Sequence, residues 1–440
     1  MPEVYLDHNA TTPLAPEVLQ AMLPWLREGY ANALSGHRKG RESRAAVDQA
    51  RASLARFFGC ALDEVVFTSG GSESNNLAIK GWAWAHPDSP RRHILVGAAE
   101  HASVGDAARF LAPAGWETST VPCDETGQVS PEALLGALRP DTALVSIQSA
   151  QNVVGTINRV DELAEVLRGR RIVFHVDAAQ TVGKVPTSFP FTGADLMSVA
   201  GHKFYGPKGV GALLVRRGTQ LAPLVHGAGH ERGLRSGTEN VAGIVGLGAA
   251  VELARRVMPE AGERMVALRD ALHLRLAEAL PGVVQNGHPL DRLPNTLNLS
   301  FLGVVGRELA DRCPELLLAT GPACHDRSVH LPPAFEAMGV GRERASSSLR
   351  LALGRGNTWE EIDHTAERLI EAVRALRAET GSALPAAARQ PSRRPVCPRC
   401  QSELRLESTG LAPAVVCAQH PACRHELFLA APAGLPTGGA

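Results

Sequence analysis

The 440-residue chain has no excess of either charge sign: 45 Lys and Arg stand against 45 Asp and Glu. That balance excludes the basic field of a nucleic-acid binder and the acidic tail of a disordered one. No apolar run approaches the roughly 20 residues needed to span a bilayer. The opening MPEVYLDHNATTP lacks the basic start and apolar core of a secretory signal, so a cytoplasmic protein is expected. In that setting the eight cysteines are expected to be catalytic, metal-binding or inert, and not to form a disulfide framework. Internal repeats are also missing. What is present is 44% hydrophobic residues on a long chain, enough for one large domain and smaller ones.

From residue 14 to about 250, short apolar runs (EVVFTSG, HILVG, ALVSIQ, RIVFHVDAA, DLMSVAG) alternate with helical patterns. That alternation predicts a mostly parallel sheet with both faces covered. GVGALLVRRG follows DLMSVAG too closely for a helical crossover, so this pair is expected to be antiparallel. Ser130 and Pro131 suit the start of a helix at 130–138. Thr358 with Glu361 predicts a capping box opening the amphipathic stretch TWEEIDHTAERLIEAVRALRAE. The expected organisation is a large domain at 14–255, a smaller α+β domain from 1–13 plus 256–380, a linker at 381–395 and a compact Cys-rich segment at 396–429.

Four places carry candidate chemistry. Asp177 ends the strand of HVDAAQ, and in open α/β sheets ligands bind outside the carboxyl ends of strands. A carboxylate there can face the ring nitrogen of pyridoxal phosphate, whose protonated form is the better electron sink. Alone, an Asp at that place only caps a turn. Lys203 lies past another strand, beside His202 and before a Gly/Pro turn, where desolvation favours a reactive amine. Alone, it is a surface lysine. TSGGSESNN offers Gly71, Ser72 and a helix N-terminus to a phosphate, or is an ordinary loop. His101 follows the strand HILVG and could stack on a ring and shuttle protons, or be a polar loop residue.

Seven segments in order, YLDHNATTP, FTSGGSESNNLAIKG, HVDAAQTVGKVP, GHKFYGPKGVGALLVR, ERGLRSGTENV, LPNTLNLSF and SSLRLALGR, resemble the cysteine desulfurase and selenocysteine lyase family. This is a branch of the class V aminotransferase-like, fold-type I pyridoxal enzymes, and the likeness runs over about residues 3–378. It implies a large domain with a mostly parallel seven-stranded sheet, a smaller α+β domain and a homodimer. It also implies site roles. Lys203 matches the Schiff-base lysine, Asp177 the ring-nitrogen partner and Gln180 the donor to the ring hydroxyl. Gly71, Ser72 and His202 match phosphate contacts, and Thr238 the threonine reaching the phosphate from the neighbouring subunit. His101 matches the stacking acid–base histidine, Asn152 the asparagine near cofactor and substrate, and Arg350 the clamp on the substrate carboxylate. Cys324, in TGPACHDRS, matches the persulfide-forming cysteine, and its Gly/Pro-flanked loop suits a thiolate that must carry sulfur outward. The implied activity converts L-cysteine to L-alanine and passes sulfur to a protein acceptor.

The chain departs from the family pattern at His8 (Asn in relatives), at Asn32–Ser35 and Pro322, at Val153 (Glu in relatives) and at Ala200 (a phosphate-binding Ser). Ala200 and the Ala-Cys-His form at 323–325 resemble the selenocysteine lyases, which keeps that activity as the alternative. A transaminase has no use for Cys324, and an inactive sulfur-relay scaffold has none for the complete Asp177, Lys203 and Arg350 set. In the tail, Cys397-x2-Cys400, sixteen residues, then Cys417-x5-Cys423 gives four thiols in two turns. That spacing suits a structural Zn2+ in a ribbon-like segment, with His420 as a possible substitute ligand.

Overall fold

The computed structural model describes residues 3–320, 331–381, 384, 394–408 and 413–429. Cys324 with its loop, and most of the segment 381–395, lie outside the described residues.

After a short strand β1 (Val4–Tyr5) come β2 (Val65–Thr68), β3 (His93–Gly97), β4 (Glu117–Val121), β5 (Thr142–Gln148), β6 (Val173–Asp177), β7 (Leu196–Ala200) and β8 (Gly211–Val215). Strands β2 to β8 form one seven-stranded sheet in the order β2-β8-β7-β6-β5-β3-β4. Only β8 runs against the rest, antiparallel to both β7 and β2, as the short connection required. Strands β3, β5, β7 and β8 are buried along their whole length, the mark of a sheet covered on both faces. Edge strand β4 is ETSTV, half exposed and polar, so no apolar run in the sequence announces it. On one face the helices Arg38–Phe58 and Val241–Ala279 pack Phe58 and Leu247 against Phe67 and Phe174. On the other face Ile79, Trp82 and Val104 meet Ile94 and Leu144.

A second, antiparallel sheet comprises β9 (Val283–Asn286), β10 (Thr296–Phe301), β12 (Ala319–Thr320) and β13 (Ser348–Ala352), in the order β12-β13-β10-β9. The run ELLLAT does not form one strand. Its first half, β11 (Leu316–Leu317), pairs parallel with β1, and its second half is β12. The closing helix Trp359–Thr380 starts on the expected capping box: Glu361 N donates to Thr358 Oγ1 (3.3 Å) and Thr358 N to Glu361 Oε2 (3.1 Å). Its Ile362, Leu369 and Val373 join Leu268, Leu272 and Leu276 of the 39-residue helix, and Leu297 and Leu351, in a second core. At the C-terminal end, β14 (Leu404–Ser408), β15 (Pro413–Cys417) and β16 (Glu426–Phe428) form a small antiparallel meander. Among the described residues no helix is long and apolar enough to cross a membrane.

The segment 4–12 threads from the second sheet to the edge of the first. Leu6 N donates to Leu317 O, His8 N to Ala352 O, and Thr12 N to His202 O. His8 is buried here, with Nδ1 donating to Ala352 O (3.1 Å) and its ring edge-on to Tyr5. A Cβ on Gly354 would fall 2.1 Å from Nε2, so only glycine leaves room for this ring. Burial pushes the imidazole down to about 4 from an ordinary value of 6.5. The fold therefore favours neutral His8, while the unfolded chain takes up a proton near pH 6.5. Stability from this group is complete above pH 6.5 and is lost as pH falls towards 4, by on the order of 3 kcal/mol. His8→Asn is expected to flatten the fall in urea midpoint between pH 6.5 and 4 relative to the parent protein. Parallel curves for the two proteins would show that His8 does not titrate this way.

Candidate active site

Five strands that point the same way each deliver one candidate residue just past their C-terminal ends. Gly71 follows β2, His101 follows β3, Asn152 follows β5, Asp177 closes β6, and Lys203 follows β7 in a 3-10 turn. This is the edge at which open α/β sheets bind ligands. Sequence separations of more than a hundred residues collapse here because the strands are adjacent.

Asp177 is buried and accepts two hydrogen bonds, from Asn75 Nδ2 (2.8 Å) and from Ala179 N (2.9 Å). Asn75 also donates to Ser103 Oγ (2.9 Å), and Ser103 N donates to His101 Nδ1 (3.1 Å). Asn75 and Ser103 thus tie Asp177 to His101. Because Nδ1 accepts a backbone N–H, a neutral His101 carries its proton on Nε2. Beneath, His175 bridges Ser146 Oγ (2.8 Å) and Ser198 Oγ (2.9 Å), and burial pushes its imidazole down to about 4. Neighbouring Glu100 accepts Gln148 N (2.6 Å) on Oε1 while its buried Oε2 has no partner. Burial holds that carboxyl well above its ordinary value, and the Asp177 charge adds to the rise.

Lys203 is half-buried and donates to Asn9 O and Ala10 O, both at 2.8 Å. Burial lowers its pKa, and the Arg350 guanidinium lowers it further. Both effects raise the fraction of free amine, the form that can act as nucleophile or base. His202 places Nδ1 3.1 Å from Thr11 Oγ1, and burial, with Lys203 and Lys208 nearby, pushes it down to about 4.

Gly71 and Ser72 begin a helical run, and the preceding Gly70 has φ 148, a left-handed value that disfavours any side chain. No side chain caps this N-terminus, so its N–H groups are free for an anion. A Cβ on Gly71 would lie 3.3 Å from the Ala200 Cβ, so the residue that replaces the relatives' serine packs directly under the turn. The turn around Val153 is closed by Gln151, whose Oε1 accepts from Val153 N and from Val154 N (2.8 Å). Those bonds hold the loop without the relatives' glutamate.

Arg350, at the middle of β13, donates to Asp7 Oδ1 (2.6 Å) and Asn152 O (3.1 Å), and its buried Nε has no partner. Thr238 is exposed in the loop before the long helix, and its neighbours Gly237 and Glu239 line a pocket with Thr68 and Ser69 at the end of β2.

Besides Asn75 and Ser103, two more residues of the site have no role evident from the sequence. Asn9 is its hub. Its carbonyl accepts Lys203 Nζ and Gln180 Nε2 (3.0 Å), its Oδ1 accepts Lys184 Nζ (2.9 Å), and its Nδ2 donates to Thr296 Oγ1 (2.8 Å). Lys184 is a fully buried amine whose Nζ also donates to Gln180 Oε1 (2.7 Å), which turns the Gln180 amide N–H towards Asn9. Burial drives its pKa well below the ordinary value. A lysine one turn after Gln180 in QTVGK was the only available signal, and surface lysines give the same one.

These residues fit pyridoxal phosphate: an uncapped helix start for the phosphate, a buried carboxylate for the ring nitrogen, a desolvated lysine between them, and an unpartnered guanidinium N–H beside the lysine. The fold and site define a pyridoxal-phosphate-dependent enzyme. Comparison with known proteins agrees. The aminotransferase class-V family model matches residues 4–365. A curated relative, the cysteine desulfurase IscS of Dictyoglomus turgidum, is 43% identical over 379 residues, covering 85% of this chain and 96% of that protein. A solved NifS-like protein superposes with a TM-score of 0.80 at 36% identity over 85% of this chain and 100% of its own. SspA, solved in complex with cysteine, gives 0.68 at 32% identity, over 79% and 98%. The chain belongs to the class-V aminotransferase family, within its cysteine desulfurases.

Proposed function

We propose that the protein desulfurises L-cysteine to L-alanine, holds the sulfur as a persulfide on Cys324 and passes it to a protein acceptor, working as a cytoplasmic homodimer. The observation that carries this reading is the meeting of Asp177 and Lys203, at the C-terminal ends of two neighbouring strands of the large sheet, with the Arg350 guanidinium brought near Lys203 from β13 of the second sheet.

Gly71, Ser72 and His202 would hold the phosphate, with Thr238 reaching it from a second copy. Asp177 would hold the ring nitrogen, Gln180 the ring hydroxyl, and Asn152 would lie beside ring and substrate. When bound, pyridoxal phosphate supplies an electron sink at the substrate α-carbon. Lys203, half desolvated, takes and returns the proton at that carbon. His101, fixed through Nδ1, offers Nε2 as a second proton carrier. Arg350 clamps the substrate carboxylate through the N–H groups that Asp7 and Asn152 leave available, and orients the thiol side. Cys324 thiolate then attacks the substrate sulfur. A sulfur–sulfur bond forms, the carbon–sulfur bond breaks, its electron pair goes to carbon, and a proton completes alanine. The reaction of cysteine with Cys324 thiol to give alanine and Cys324 persulfide balances without an external oxidant. Zn2+ on Cys397, Cys400, Cys417 and Cys423 would be a second, structural cofactor, which their soft thiolates suit.

The test is alanine release from L-cysteine and from L-selenocysteine by purified holoenzyme, alongside Arg350→Gln. Turnover of cysteine is expected, and losing one charge-assisted contact should raise KM by roughly 10- to 100-fold. Turnover of selenocysteine alone would move the assignment to the lyase branch. An unchanged KM in Arg350→Gln would remove Arg350 from substrate binding.

A further inference from the structure

Residues 394–429 lie beyond the family match, which ends at residue 365. Within them the Sγ atoms of Cys397, Cys400, Cys417 and Cys423 all lie within 4.8 Å of one another. The Cys397–Cys423 separation is 3.6 Å and Cys400–Cys417 is 3.4 Å. A disulfide requires about 2.05 Å. The edge of a tetrahedron with zinc–sulfur bonds of about 2.3 Å is about 3.8 Å, close to what is seen. His420 is not part of the cluster.

The backbone is shaped to the thiolates in the same way at both turns. Arg399 N donates to Cys397 Sγ (3.4 Å) and Gln419 N to Cys417 Sγ (3.3 Å), in each case two residues after the first ligand. The residue after the second ligand is left-handed in each turn, Gln401 at φ 62 and Arg424 at φ 54. Non-glycine residues are seldom found there without a cause, and two at matching places point to a shared one.

The apolar residues of this segment do not close on themselves. Leu404, Val415, Cys417 and Leu429, none more than 2% exposed, belong to the same core as Leu268, Leu272 and Leu276 of the long helix and Leu351 of β13. Strands β14, β15 and β16 all pack on the helix Val241–Ala279, and Arg394 pairs with Glu278 (3.5 Å). So short a segment cannot bury a core unaided, and metal-binding energy in such a module is folding energy.

We infer that the four-thiolate metal site is a folding element of the catalytic body: it fixes the ribbon against the C-terminal half of the helix Val241–Ala279, completing the core behind the sheet that carries Arg350. This rests on the zinc reading above. Metal loss should therefore loosen residues 265–279 and lower the melting temperature of the whole enzyme, not only release a tail.

The experiment uses full-length holoenzyme. Elemental analysis should find one zinc per chain, and cobalt substitution should give thiolate-to-cobalt charge transfer with tetrahedral d–d bands, both lost in Cys417→Ser. Wild-type protein stripped with a chelator is then melted while the cofactor absorbance is followed, and amide exchange of residues 265–279 is measured. A drop of roughly 5 °C or more with at least about tenfold faster exchange in that helix is expected. Absence of zinc, or no cobalt spectrum, overturns the metal site. Zinc present with an unchanged cofactor melt and unchanged helix exchange overturns the buttressing role and leaves the metal reading standing.

Discussion

Lys203→Ala is expected to abolish alanine formation from L-cysteine, with kcat falling by at least about 10³-fold. Lys203 is the one amine at the strand ends that is both partly desolvated and exposed enough to reach a substrate. Lys184, its buried neighbour, is committed to Asn9 Oδ1 and Gln180 Oε1 and cannot substitute. The variant should still bind the cofactor, because the turn at Gly71 and the Asp177 carboxylate, proposed to hold its phosphate and ring nitrogen, do not depend on Lys203. Its absorbance should shift, since no covalent link to the chain remains. Alanine release assays and a spectrum of the purified variant are sufficient. Turnover within tenfold of the parent would show that Lys203 is not the reacting amine.

Cys324→Ala is expected to leave the spectrum and cysteine binding intact while turnover of cysteine falls by about 10³-fold or more, the scale seen when a nucleophile is removed. None of the three described cysteines outside the Cys-rich ribbon is suited to take its place. Cys60 and Cys123 are half-buried with thiols pushed up by burial, Cys60 to about 12, and Cys313 is buried and raised to about 11. Thiols so raised carry little thiolate at neutral pH. Mass analysis after a single turnover should find one added sulfur on the peptide containing Cys324 in the parent and none in the variant. If selenocysteine turnover survives in Cys324→Ala while cysteine turnover is lost, the residue discriminates between substrates. Full cysteine turnover in the variant would overturn the persulfide route.

Much of the site was legible because its residues sit on local patterns. Asp177 ends an apolar run, Lys203 follows another, and the glycines at 70 and 71 mark a turn that needs a positive φ. The capping box at Thr358 and the N-cap at Ser130, which accepts Ala133 N (3.1 Å), were legible for the same reason. Asn9, Asn75, Ser103 and Lys184 were not, because each acts through a partner far away in the chain. Asn9 meets Thr296 and Lys203, and Asn75 meets Asp177 and Ser103. Strand β4 was missed because an edge strand need not be apolar, and ELLLAT divides because β1 and β13 compete for its two halves.

By itself the sequence determined the class of sheet, the order of its strands along the chain and the chemical groups at their ends, since hydrophobic period and turn chemistry are short-range. It also determined that four thiols fall in two turns. Only the tertiary structure decided that the lysine at 184 is buried beside the one at 203, that the guanidinium of Arg350 keeps a free N–H, and that the Cys-rich ribbon lies in the core behind Arg350. These are contacts between residues tens to hundreds of positions apart. Their existence depends on strand order and on which helix face each segment covers, and no local pattern encodes either.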